Sequence, residues 1–87
     1  MASHKRPEVE VRLSRIEGHI RSIRRMVQED RTYPEIVQQI SAVDAALDAV
    51  VQVIVDDLVE DCVKKVERNA TANRTLRELK EVVARAR

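Results

Sequence analysis

Apolar residues recur along this chain at helical intervals. From Val9 they fall at Leu13, Ile16, Ile20, Ile23 and Val27, in steps of 4, 3, 4, 3 and 4, the spacing of a heptad seam. The pattern predicts a first helix from about Pro7 to Gln28. Pro7 suits a first turn, where its missing N–H is not needed, and Glu8 and Glu10 suit the positive end of the helix. Gly18 falls in mid-helix, where its usual justification is close approach by another backbone.

The pattern breaks at residues 29–33 and resumes at once. Thr32 and Glu35 have the spacing of a capping box, and Pro34 falls in the new first turn. A second seam follows through Ile36, Ile40, Val43, Leu47, Val50, Ile54 and Leu58, widened by Val51, Val55, Val59, Cys62 and Val66. Nothing after Pro34 stops this helix before about Arg68. A rod of roughly 50 Å results at ~1.5 Å per residue, whereas a compact globule of this length has a radius of gyration of about 12 Å. Part of the second helix must project, and its apolar seam needs covering, so the chain is expected to be a helical oligomer. After Asn69–Asn73 a third helix is predicted from about Thr71 to Ala84, with Leu76, Leu79, Val82 and Val83 on its apolar face.

The expected fold class is therefore all-α, with three helices in one domain over residues 1–87 and a flexible basic tail at 1–6. The 44% hydrophobic share exceeds that of a disordered chain, and a lone Cys62 cannot form an internal disulfide. No apolar run reaches the roughly 20 residues that span a bilayer, and no secretory segment opens the chain. A cytoplasmic protein without a membrane partner is the expectation.

Charge alters this picture. The net charge is +1, yet residues 1–31 carry +3, residues 32–63 carry −7 and residues 64–87 carry +5. The basic parts suit a polyanion; the same asymmetry suits pairing between the acidic middle and the basic ends. Arg12 and Arg15 share one face of the first helix, and Arg21, Arg24 and Arg25 another; Lys5 and Arg6 precede it. With Tyr33 the only aromatic residue, a basic surface fits duplex phosphates better than stacked single strands. Asp56, Asp57, Glu60 and Asp61 form two i, i+4 carboxylate pairs. They suit a hard cation, or simple compensation by Lys64 and Lys65. Cys62 is either a small core residue or a sensor thiol, and its acidic neighbours disfavour a thiolate. His4 and His19 lack partners at ligand spacing. No catalytic constellation is present, and one Gly in an all-helical chain leaves little room for a deep pocket, so no enzyme is expected.

Three runs, Arg15 to Val27, Gln38 to Leu47 and Asp56 to Val63, resemble the copper-sensitive operon repressor (CsoR) family, which includes nickel/cobalt, formaldehyde and persulfide sensors. The likeness extends over Val9 to Val63. It implies a cytoplasmic bacterial repressor that binds double-stranded operator DNA through a basic surface and is released by an inducer. It also implies an antiparallel four-helix-bundle dimer, commonly paired into a tetramer. Copper sensors of the family use a Cys, then a His and a Cys four apart; the matching positions here are Tyr33, Leu58 and Cys62. Copper(I) prefers thiolate and imidazole, so no resident cofactor is expected, with Cys62 the one position for copper(I) or zinc. Tyr33 also removes the first Cys of the formaldehyde and persulfide sensors. Arg12 falls where copper sensors carry a functional basic residue, and Arg12, Arg15, Arg21, Lys5 and Arg6 are the expected phosphate contacts. On the second helix, Asp44, Asp48 and Ala49 stand where basic residues are common. The competing expectation is a helical interaction module that no longer binds DNA specifically.

Overall fold

The computed structural model describes residues 4–68 and 72–86. Its described residues form α1 (Arg6–Gln28), α2 (Tyr33–Arg68) and α3 (Ala72–Arg85), close to the spans the apolar spacing predicts. Thr71, the expected start of α3, lies outside the described residues.

Both α1 boundaries have local causes. Pro7 sits in the first turn, where no N–H is missed. At the other end Asp30 takes a left-handed conformation with φ 58°. The N–H of Arg31 then reaches the Met26 carbonyl at 3.0 Å and that of Asp30 reaches Val27 at 3.2 Å. These are the two bonds of a Schellman cap, with Asp in the place that usually takes Gly. The expected capping box opens α2: the Glu35 N–H donates to Thr32 Oγ1 at 3.4 Å, and the Thr32 N–H donates to Glu35 Oε1 at 3.2 Å.

α1 folds back on α2, and among the described residues α3 packs on α2 alone. The core is one line of Ile16 and Ile23 against Ile36, Val43 and Val50, extended by Val9, Met26, Ala46 and Ile54. The protomer measures 57 × 24 × 12 Å with a radius of gyration of 17.3 Å. It is a slab one helix thick, as the rod-length argument requires.

Part of each seam is left uncovered. Leu13, Ile20 and Val27 on α1 and Ile40 and Leu47 on α2 are exposed. At about 100° per residue, these five flank the core line on one side. Arg12, Arg15 and His19 on α1, with Gln39 and Ala46 on α2, flank it on the other. The helical pair thus has an apolar edge and a cationic edge.

Two expectations are corrected. Among the described residues of the protomer no other backbone approaches Gly18: a Cβ there would meet an Arg21 guanidinium nitrogen at 3.7 Å. The chain also holds a large concavity. An open groove of ≈ 720 Å³ runs between the start of α1, α2 and α3, lined by Val9, Leu13, Ile54, Leu58, Glu78 and Val82 among others.

Candidate nucleic-acid interface and sensor position

On the cationic edge, Arg12, Arg15 and His19 surround a small notch floored by Ile16 and Ala46, of ≈ 140 Å³. Arg12 Nε donates to Glu8 Oε2 at 3.1 Å, an exposed i, i+4 pair of the kind worth only a few tenths of a kcal/mol. His19 Nε2 donates to Gln39 Oε1 at 2.8 Å. Sequence reasoning weighed His19 only as a lone metal ligand. Its distance of seven residues from Arg12, two helical turns, places both on one flank and was the available signal.

The five expected phosphate contacts do not converge. Arg12 and Arg15 share the notch. Arg21 points outward on the opposite flank by helical phase. Arg6 lines the large groove. Lys5 Nζ pairs with Glu60 Oε2 at 3.0 Å. That bond holds the Lys5 ammonium above its ordinary pKa and the Glu60 carboxyl below its own.

Residues 4–6 are accordingly not a free tail. His4 Nε2 lies 2.9 Å from Glu60 Oε1, and His4 Nδ1 lies 3.5 Å from Asp57 Oδ1. The second contact is too long for a hydrogen bond, and Asp57 Oδ1 is buried without one. The acidic middle meets the basic beginning within the protomer. Lys64 was the expected compensation for Glu60, but Lys5 and His4 make the close pairs. The expected partner of Asp61 is confirmed: Lys65 Nζ sits 3.0 Å from Asp61 Oδ2. Thr75 of α3, buried, donates to the same oxygen at 3.1 Å. Lys65 first, then Thr75, hold the Asp61 carboxyl below its ordinary pKa against the opposing effect of burial.

Cys62 is a half-buried free thiol beside this cluster. Leu58 lies half-buried in the groove wall, where Glu78 Oε2 is buried without a partner. Tyr33 is 80% exposed at the other end of α2.

The protomer is thus all-helical, with one edge suited to a helical partner and the other to an anion. It belongs to the metal-sensitive transcriptional repressor family, which matches residues 5–85. The copper-sensing transcriptional repressor CsoR of Bacillus subtilis (strain 168) is 47% identical over 45 residues, 52% of this chain and 45% of that protein. The matched segment therefore spans under half of that relative. A solved structure of the nickel-responsive transcriptional regulator InrS superposes with a TM-score of 0.83 at 39% identity, covering 100% of this chain and 98% of the other. Both the all-α class and the resemblance read from the three sequence runs are thereby established.

The residues present do not fit a metal at the three positions the copper sensors use. Leu58 has no donor atom. Tyr33 and Cys62 are 29 residues apart on one helix, about 43 Å along the axis at ~1.5 Å each, so one protomer cannot bring them to a common ion. Cys62 is the single soft donor of the set. Among the described residues no group of three His, Cys, Asp or Glu is placed to hold an ion, and no helix is long and apolar enough to cross a membrane.

Proposed function

We propose that this chain represses transcription as a homo-oligomer that grips operator DNA with the cationic edge of its α1–α2 pair. The observation that carries this reading is the notch of Arg12, Arg15 and His19, on the flank away from the exposed apolar seam. A second copy laid on Leu13, Ile20, Ile40 and Leu47 would cover the apolar edge and leave both notches open. Asp44 and Asp48 of α2 fall by helical phase on the side away from Gln39 and Ala46. They therefore do not oppose an anion at the notch. Arg12 and Arg15 are the principal phosphate contacts, with Arg21, Arg6 and Lys5 outside the notch.

Release follows from an inducer that binds the low-affinity form better than the DNA-competent one. Cys62 is the sensor position, and the inducer is not copper held at the usual three positions. Zinc or copper(I) would bind, if at all, through Cys62 with donors from a second protomer. A second reading, a DNA-free interaction module, draws on Lys5 and His4, whose polar groups are held internally by Glu60.

Fluorescence anisotropy of the reduced protein on a labelled duplex from its own upstream region, against a scrambled duplex, tests the proposal. Tight binding to the upstream duplex alone is expected. Weak and equal binding to both would hand the chain to the second reading.

A further inference from the structure

His19 is the one notch residue whose ring is held from the opposite helix. Its Nε2–H goes to Gln39 Oε1 at 2.8 Å in a part-buried site. An amide oxygen only accepts, so the ring carries its proton on Nε2. A neutral ring in that tautomer presents a bare lone pair at Nδ1, which repels a phosphate oxygen. Once protonated, the ring donates at both nitrogens, one to Gln39 and one to an anion.

The notch favours one tetrahedral oxyanion. Its side chains are Arg12, Arg15 and His19, with no carboxylate among the lining residues. Its ≈ 140 Å³ is well below the roughly 300–1,000 Å³ of organic ligand sites. Its apolar floor, Ile16 and Ala46, offers no competing hydrogen bond. Among the described residues, α2 contributes the uncharged Gln39 as the hydrogen-bond partner of His19 and the uncharged Ala46 to the notch wall, and the charged lining residues on α1 are Arg12 and Arg15. Glu8 already bonds Arg12 at the rim, through a pair weak enough to yield to phosphate.

We propose that Arg12, Arg15 and His19 form a single phosphate site on the DNA backbone, that Gln39 is the positioning residue for His19, and that seating the phosphate draws one solvent proton onto the imidazole. This deepens the DNA-binding reading above and rests on it. DNA affinity then rises as pH falls, because the protonated ring offers the anion a donor that the neutral tautomer lacks. The notch presents two guanidinium charges when the ring is neutral and a third positive charge when the ring is protonated.

Two measurements on the full-length protein test this separately. In the first, anisotropy on the upstream duplex is read at about pH 6 and pH 8 and over a salt series. The wild type is expected to bind about tenfold more tightly at the lower pH, a charge-assisted hydrogen bond being worth about that factor. His19→Asn should lose this pH dependence and flatten the log–log salt slope by about 0.9 per notch. His19→Lys should restore affinity without restoring the pH dependence. Gln39→Leu frees the ring to carry its neutral proton on either nitrogen, so affinity should persist with a shallower pH profile, and Gln39→Glu should bring the steep profile back. His4→Asn serves as the control outside the notch. His19→Asn matching the wild type in affinity, salt slope and pH profile would overturn the proposal.

In the second measurement, inorganic phosphate is titrated against the His19 ring resonances without DNA. A saturable shift lost in Arg12→Ala is expected; no shift overturns the site. If the wild type binds no duplex but phosphate still shifts His19, the anion site stands and the DNA reading above falls instead.

Discussion

The two edges of the α1–α2 pair are built from the same seam and have opposite chemistry. On one, Leu13, Ile20 and Val27 stand beside Ile40 and Leu47, exposed by between 41% and 54%. On the other, Arg12, Arg15 and His19 stand beside Gln39 and Ala46. Both edges flank the same buried line of Ile16, Ile23, Ile36, Val43 and Val50. A slab 12 Å thick cannot hide an apolar edge by folding over it, so that edge calls for another molecule. The cationic edge needs none for stability and is left for function. A helix that turns about 100° per residue separates these roles by a single step, from Arg12 to Leu13.

The largest effect should come from breaking the apolar edge. Ile40→Glu with Leu47→Glu would place carboxylates where a second copy must exclude water, a cost of more than about 3 kcal/mol per protomer. Sedimentation should show monomer, with helicity reduced because the projecting part of α2 loses its cover. A double variant that sediments like the wild type would place the oligomer interface elsewhere. On the other edge, Arg12→Ala with Arg15→Ala should leave sedimentation unchanged. Duplex affinity should fall about a hundredfold, two charged contacts at about 1.4 kcal/mol each. Unchanged affinity together with an unchanged salt slope would remove both residues from the DNA surface.

The pattern of the chain carries most of this fold. The heptad steps locate α1 and α2, and Thr32 with Glu35 marks the start of α2, because these signals arise within one turn of one helix. The family resemblance was legible for the same reason: its three runs are contiguous. What escaped is what depends on two helices at once. Spacing alone does not show that Gln39 orients His19 from 20 residues away. Nor does it show that Lys5 and His4 fold onto Glu60 rather than stay free, a contact more than 50 residues apart. Nothing in the spacing singles out Thr75, yet it is 1% exposed and bonded to Asp61. Gly18 misled in the other direction, since its cost in a helix suggested a contact the protomer lacks.

Thr75 gives the next prediction, one that touches neither edge. Removing its hydroxyl with Thr75→Val leaves Asp61 Oδ2 short of a donor and Lys65 Nζ short of an acceptor 3.4 Å away. The expected loss is about 1–2 kcal/mol, several degrees in Tm for a domain of this size. Thr75→Ser should recover most of it. Because among the described residues α3 packs on α2 alone, the loss should appear first as faster amide exchange in α3, with the α1–α2 core still protected. Uniform loss of protection across all three helices would mean that α3 is part of one cooperative unit with the core.

The smallest effect concerns the hinge between the two core helices, and its sign follows from one carboxylate. Arg31 Nη2 donates to Glu35 Oε2 at 2.7 Å, and Thr32 donates to Oε1 through both its hydroxyl and its N–H. Arg31 first, then Thr32, hold the Glu35 carboxyl down at about 2. An unfolded Glu titrates near 4.3, so the folded form favours the charged state. Its contribution to stability is complete above that range and disappears as pH falls towards about 2. Glu35→Gln should therefore lower Tm slightly at neutral pH, and the gap from the wild type should close between about pH 4 and pH 2. The cap is exposed and screened, so the gap should also narrow in high salt. A gap that stays constant down to pH 2 would show that the carboxylate's charge is not what closes the turn between α1 and α2. The left-handed Asp30 and its Schellman bonds would then hold the two edges in register without it.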